Sequence, residues 1–139
     1  MSDATTIVPL KGIRGVIARS LTAAWQAPRV AQGLDADMSA VLARVKTERA
    51  ATGTKISITH AVLRAVALTL REHPAVNGIV SDQAVEHWSD VNLGVAVNTP
   101  IGVVVPVLMQ ADAFTLGELE QQVGVLAGSA RAGKLPASA

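Results

Sequence analysis

Three histidines carry most of the sequence's capacity for proton transfer. His60, His73 and His87 lie 13 and 14 residues apart, with no carboxylate at the i, i+4 spacing that would complete a zinc site on one helix face. His60 falls near the start of an apolar segment and reads as a satisfied, partly buried imidazole. His87 stands beside Trp88 and reads the same way. His73 opens a H-x-x-x-N-G run with Asn77 and Gly78, which has the form of a catalytic motif. Cysteine is absent, so thiolate nucleophiles, disulfides and Cys-based zinc sites drop out. G-x-S-x-G, Walker A and G-x-G-x-x-G patterns are missing as well.

Composition narrows the partner classes. Net charge is +1 without a run of like charge, so neither a nucleic-acid tail nor a polybasic membrane patch is expected. With one Phe, no Tyr and two Trp there is little to stack bases on. The N-terminus lacks the apolar core of a secretory signal, and cytoplasmic placement is expected. The 139 residues suffice for one small domain.

Positioning elements follow from periodicity. Residues 1–10 read as an extended arm, followed by a single domain over 11–139. Between Gly15 and Gln26, Ile17, Leu21, Ala24 and Trp25 form one helical stripe, ended by Pro28. Arg29 to Ala36 is a weak strand. Asp37 or Ser39 caps a second helix carrying Met38, Val41, Leu42 and Val45. A third helix, Ser57 to Glu72, is apolar nearly all round, the mark of burial on several sides. Strands follow at Val76–Val80 and Val85–Trp88. Thr115 and Glu118 make a capping box for a last helix. Helices on a largely antiparallel or mixed sheet are expected.

Asp90 to Asp112 encloses 21 uncharged residues, the length of a membrane span. Pro100 and Pro106 would each cost a helix about 3 kcal/mol, and Asn92 and Asn98 would add desolvation. The stretch reads better as two core strands, Asn92–Asn98 and Gly102–Leu108, around an Asn98–Gly102 turn. Val103, Val104 and Val105 suggest burial on both faces, interrupted at Pro106.

Four segments together resemble one family. VPLKGIRGVIARSLTAAW is similar to the first helix of the catalytic domain of dihydrolipoamide acyltransferases, from 2-oxoacid dehydrogenase complexes. KISITHAVLRAVALTLREHPAVNGIV resembles the family's central helix and the strand after it. VNLGVAVNTPIGVVVPVL resembles I-G-x-A-V-D-T-P-x-G-L-x-V-P-V-x, and TLGELEQQVGVLAGSARAGKL resembles the helix ending in A-R-x-G-K-L. Their order and spacing agree over nearly the whole chain.

The resemblance implies an α/β fold, a chloramphenicol-acetyltransferase-like two-layer sandwich with helices on one face of a mixed sheet. It is implied to be incomplete, the N-terminal half of the catalytic domain. The implied reaction is acyl transfer between dihydrolipoyl-lysine, supplied by another domain or chain, and coenzyme A, within a homotrimer or higher assembly. Implied coenzyme A contacts are Arg44, Ser57 and Asn98, where Asn98 stands in place of the Asp of D-T-P. Ala127 occupies a further contact position that some members fill with Gln. The family's T-x-S-N-x-G and catalytic H-R-x-x-D-G motifs follow the A-R-x-G-K-L helix, and the sequence ends at Ala139 before either. A complementing chain carrying them is therefore implied for activity, with this chain alone inactive. The alternatives are a non-catalytic assembly subunit or a coenzyme A-binding module. His73 aligns with an ordinary helix end of the family, so its H-x-x-x-N-G form reads as coincidence.

Overall fold

A computed structural model of the chain describes residues 5–81 and 83–135. The chain is α/β, with four α-helices and short antiparallel strands among the described residues. It divides into two compact units, Met1–Ala36 and Asp37–Ala139.

In the first unit, residues 5–11 are neither helix nor strand, and α1 spans Gly12–Ala24. The helix begins ahead of the expected Gly15. Gly15 itself is needed there, because a Cβ would sit 2.9 Å from the Leu10 carbonyl oxygen. The expected stripe is only partly covered: Ile17 is half-buried, whereas Leu21 is exposed and Trp25 is 73% exposed. Trp25 stacks under the Arg29 guanidinium, 4.3 Å from the ring centroid, a cation–π contact. Arg29 also donates to the Ala24 carbonyl at 2.9 Å. No strand forms over residues 29–36. Gly33 and isolated Val30 and Leu34, each over 90% exposed, leave an alternation with nothing to pair against.

The second unit holds the core. Helix α2 (Ser39–Thr52) starts after Asp37 accepts the Ser39 N–H at 2.9 Å and ends on left-handed Gly53, the usual glycine stop. Helix α3 (Ile58–Glu72) is capped by Ser57, and α4 (Leu116–Arg131) by Thr115. Thr115 and Glu118 form the expected reciprocal box. Strands β1 (Gly78–Val80) and β2 (Val85–His87) pair antiparallel.

The Asp90–Asp112 stretch is an antiparallel hairpin, and no helix among the described residues is long and apolar enough to cross a membrane. Strand β3 (Leu93–Gly94) pairs with β6 (Val107–Leu108), and β4 (Val97–Thr99) with β5 (Gly102–Val104), joined by Pro100-Ile101. One register runs through both ladders, so Val95 faces Pro106 and Ala96 faces Val105. Val95 N–H reaches the Pro106 carbonyl at 3.0 Å, but proline has no N–H to return. The break expected at Pro106 therefore splits the hairpin into two short ladders.

The sheet, expected to be largely antiparallel or mixed, is antiparallel in every described pair and divides into three two-stranded pieces. Two expectations about burial are corrected. The valine run is not buried on both faces: Val103 and Val105 are more than half exposed. Likewise Ile58, Val62, Val66 and Leu68 leave α3 open on one side, and only Ala67 of that helix is fully buried. The core has one side, formed where α3 and α4 close over the hairpin base. There Ala67, Val91, Leu93, Leu108, Ala111 and Leu119 pack with Leu63, Phe114 and Val123 around them.

Candidate coenzyme A-contact site

The three implied contact residues do not converge on one cavity. Arg44 lies on α2 and lines an open cleft of about 360 Å³ with Val41, Val45, Ala61, Arg64 and Leu116. Its side chain is 74% exposed and bound to Glu48, with Nε at 2.7 Å and a terminal nitrogen at 2.5 Å from the same carboxylate oxygen. Ser57, the N-cap of α3, lies one turn before the lining residue Ala61 and does not itself line this cleft. Asn98 sits instead on the exposed face of the hairpin tip, opposite Val103 in register. Its neighbours Val97 and Thr99 point inward, and Thr99 Oγ1 donates to the Gly102 carbonyl at 2.6 Å. Asn98 is thus presented outward by a turn whose hydrogen bonding falls to Thr99.

Sequence reading missed Arg64. Ser57, Ala61 and Arg64 stand at i, i+4 and i+7, one face of a helix, and that spacing was the available signal. Arg64 donates to the Asp112 carbonyl at 2.7 Å, which anchors its guanidinium, and the residue lines the cleft with Arg44. Two arginines against one glutamate give this cleft a surplus of positive charge.

The histidines separate by environment. His60 is half-buried, as expected, and its Nδ1 accepts the Ser57 backbone N–H at 3.0 Å and lies 3.3 Å from Ser57 Oγ. Burial pushes its imidazolium below the ordinary value, partly opposed by the charge of Glu120. His87 is exposed, contrary to the expectation of partial burial. It lies at the end of β2, whose residues are all open to solvent. His73 caps the C-terminus of α3 and is exposed.

The rest of the H-x-x-x-N-G run has a structural explanation. Asn77 Nδ2 donates to the Trp88 carbonyl at 3.0 Å and to the Asp90 carbonyl at 3.1 Å, fastening the β1–β2 hairpin to the chain entering the core. Gly78 is required because a Cβ would collide with the Glu86 carbonyl across the ladder.

Residues 2–139 match the family model for 2-oxoacid dehydrogenases acyltransferase (catalytic domain). The chain belongs to this family. Among curated relatives it is 34% identical over 131 residues to the mitochondrial pyruvate dehydrogenase protein X component of Mus musculus, covering 94% of this chain and 26% of that protein. It is 35% identical over 136 residues to the dihydrolipoyllysine-residue succinyltransferase component of the 2-oxoglutarate dehydrogenase complex of Bartonella vinsonii, covering 94% of this chain and 33% of the relative. Among solved structures, dihydrolipoamide acetyltransferase of Azotobacter vinelandii is 31% identical with a TM-score of 0.89, covering 97% of this chain and 58% of that one. That enzyme was studied for the roles of a serine, a histidine and an asparagine in its catalytic mechanism. The chain therefore spans about a third or less of these curated relatives, and somewhat over half of the solved catalytic core.

Proposed function

We propose that this chain forms the coenzyme A-facing part of an acyltransferase catalytic domain, in a reaction between dihydrolipoyl-lysine and coenzyme A. The complete domain would be the chloramphenicol-acetyltransferase-like sandwich, extending over the apolar faces that α3 and the valine run leave open. The cytoplasm is the proposed compartment.

The observation that carries this reading is the cleft that Arg44 and Arg64 line together, in a chain whose family catalyses acyl transfer. A guanidinium is planar and always charged, so it binds phosphate oxygens through paired N–H donors. Arg44 can offer that fork once a phosphate displaces Glu48, and Arg64 adds charge behind it. Ser57, half-buried at the helix start, supplies a short-range hydroxyl. Asn98 keeps an acceptor oxygen where the family pattern has a carboxylate, without its charge.

Acyl transfer also needs a base that takes the thiol proton so that sulfur can attack the thioester, and donors for the oxyanion that forms. His60 Nδ1 is engaged by the helix cap, and His73 and His87 are exposed away from the cleft residues. We assign base and oxyanion donor to the remainder of the catalytic core, on the same polypeptide or a complementing one. Assembly as a homotrimer or larger body with a lipoyl domain as acyl donor belongs to the same proposal.

Calorimetric titration with coenzyme A tests the binding half. Saturable binding that Ser57→Ala weakens, and that Asn98→Asp strengthens, is expected. If coenzyme A does not bind, the chain is an assembly subunit. Acyl transfer from acetyl-CoA to dihydrolipoamide tests the other half. Turnover is expected only with the H-R-x-x-D-G part present, and turnover by the 139 residues alone, abolished by His73→Ala, would reverse the assignment of the base.

A further inference from the structure

We propose that Asn77 is a site of spontaneous modification: its side chain deamidates when the β1–β2 hairpin opens, and the product keeps the hairpin from closing again. The reaction consumes only water and does not depend on the coenzyme A reading.

The chemistry follows from the residue after Asn77, which is Gly78. In such a pair the glycine backbone nitrogen attacks Cγ of the asparagine side chain. The new N–Cγ bond forms as the Cγ–Nδ2 bond breaks, and Nδ2 leaves as ammonia with the proton from the glycine N–H. The cyclic imide that results is opened by water at either carbonyl. One opening gives aspartate, and the other gives isoaspartate, in which the main chain runs through the former side chain. Glycine favours the attack because it has no Cβ to restrict its backbone or crowd its nitrogen. The other asparagines, Asn92 and Asn98, precede Leu93 and Thr99, whose side chains hinder the same step.

The fold requires both members of the pair. One step along the register from Gly78 and His87, Asn77 faces Trp88. The Trp88 N–H donates to the Asn77 carbonyl at 2.9 Å, but the Asn77 N–H is turned away to the Pro74 carbonyl at 3.1 Å. Asn77 Nδ2 supplies the return bond instead, donating to the Trp88 carbonyl at 3.0 Å and to the Asp90 carbonyl at 3.1 Å. An amide nitrogen has two hydrogens, so both are in use. Gly78 cannot be exchanged, because a Cβ would collide with the Glu86 carbonyl. The pair that fastens the hairpin is therefore also the pair built to react.

The restraint lies on the side chain and not on the nucleophile. Hydrogen-bonded and non-hydrogen-bonded pairs alternate along an antiparallel ladder, so the Gly78 N–H points away from β2. Among the described residues β1 has no second neighbouring strand. Nδ2, by contrast, cannot depart until it releases both carbonyls, which is the opening of the latch itself. Reclosure then fails for either product. An ionised aspartate has no hydrogen to donate and sets oxygen against two carbonyl oxygens. Isoaspartate adds a methylene to the main chain just before β1 and shifts its register.

Peptide mapping by mass spectrometry, on the full chain held in mildly alkaline buffer with and without urea, reads conversion at each asparagine. In urea Asn77 should convert ahead of Asn92 and Asn98. Without urea it should convert roughly ten-fold more slowly or less, the scale of two net hydrogen bonds. No lead for Asn77 in urea removes the site, and equal rates in the two conditions remove the gate. Hydrogen exchange tests the product, both in Asn77→Asp and in wild-type chain aged to the deamidated form. Ile79, Glu86 and Trp88 amides should lose protection, while Leu93 and Leu108 keep theirs. Wild-type protection at the hairpin in either form overturns the failed reclosure, and a loss that reaches Leu93 and Leu108 overturns its confinement to the hairpin.

Discussion

Arg44 offers the sharpest quantitative test, because its present partner and proposed ligand compete for the same donors. Both short contacts to Glu48 go to a single carboxylate oxygen, and the arginine is 74% exposed. An exposed i, i+4 pair of this kind contributes about 0.3–0.5 kcal/mol. A charge-assisted hydrogen bond to a phosphate contributes about 1.5–3 kcal/mol. Displacing Glu48 subtracts the smaller figure, so Arg44→Ala should weaken coenzyme A by about 1–2.5 kcal/mol, or roughly 5- to 70-fold in Kd. Fold stability should change by less than about 0.5 kcal/mol, as for most surface substitutions. Glu48→Gln removes the competitor and should tighten binding about two-fold at low salt, a gain that fades as screening rises. Calorimetry at two ionic strengths measures all three proteins. If wild type binds and Arg44→Ala binds equally well at low salt, Arg44 does not touch the ligand. If Glu48→Gln weakens binding, the carboxylate is part of the site and not its competitor.

Three further outcomes concern the fold that carries the site. Leu119 is fully buried at the centre of the α3–α4–hairpin cluster, so Leu119→Ala should cost about 2–5 kcal/mol, read by urea denaturation; a loss under about 1 kcal/mol would mean that the cluster collapses around the gap. Gly78→Ala should pull β1 from β2 through the clash with the Glu86 carbonyl, seen as lost amide protection at both strands, and unchanged protection would refute that close approach. The Glu118 carboxylate is held below its ordinary 4.5 by the Thr115 backbone N–H and then its hydroxyl. Its contribution is present above pH 4.5 and is lost as pH falls through the folded value. The melting-temperature advantage of wild type over Glu118→Gln should therefore shrink below about pH 4.5, and a constant difference down to pH 3 would refute the linkage.

Elements whose determinants are local were legible in the sequence. Helix α4 announces itself with Thr115 and Glu118, and α3 with Ser57 and an apolar run stopped at His73-Pro74. Pro106 was readable as a break because the missing N–H acts wherever the proline sits. What was not legible depended on distant partners. The alternation at Val30, Leu34 and Ala36 had no strand to pair with, and the all-round apolarity of α3 did not translate into burial on all sides. Arg64 was hidden because a single arginine on a helix says nothing about what lies across the cleft. His60 was placed correctly as half-buried, yet its part in the cap was missed, because S-x-x-H is not the pattern a capping box normally shows. For the same reason H-x-x-x-N-G was ambiguous until Asn77 could be seen fastening two carbonyls.

The interrupted hairpin has a consequence for precision. A continuous ladder would tie the position of Asn98 to the hairpin base, which is locked into the core through Leu93 and Leu108. At Val95–Pro106 that tie is reduced to the one Val95 N–H bond to the Pro106 carbonyl, so the burial of Val97 and Thr99, where β4 lies against α4, does more of the steadying at the tip. Motion at Asn98 is then expected to follow α4 more closely than the base. A change that loosens α4 would blur the turn even with every residue of the hairpin intact, and one that stiffens α4 would sharpen it from outside.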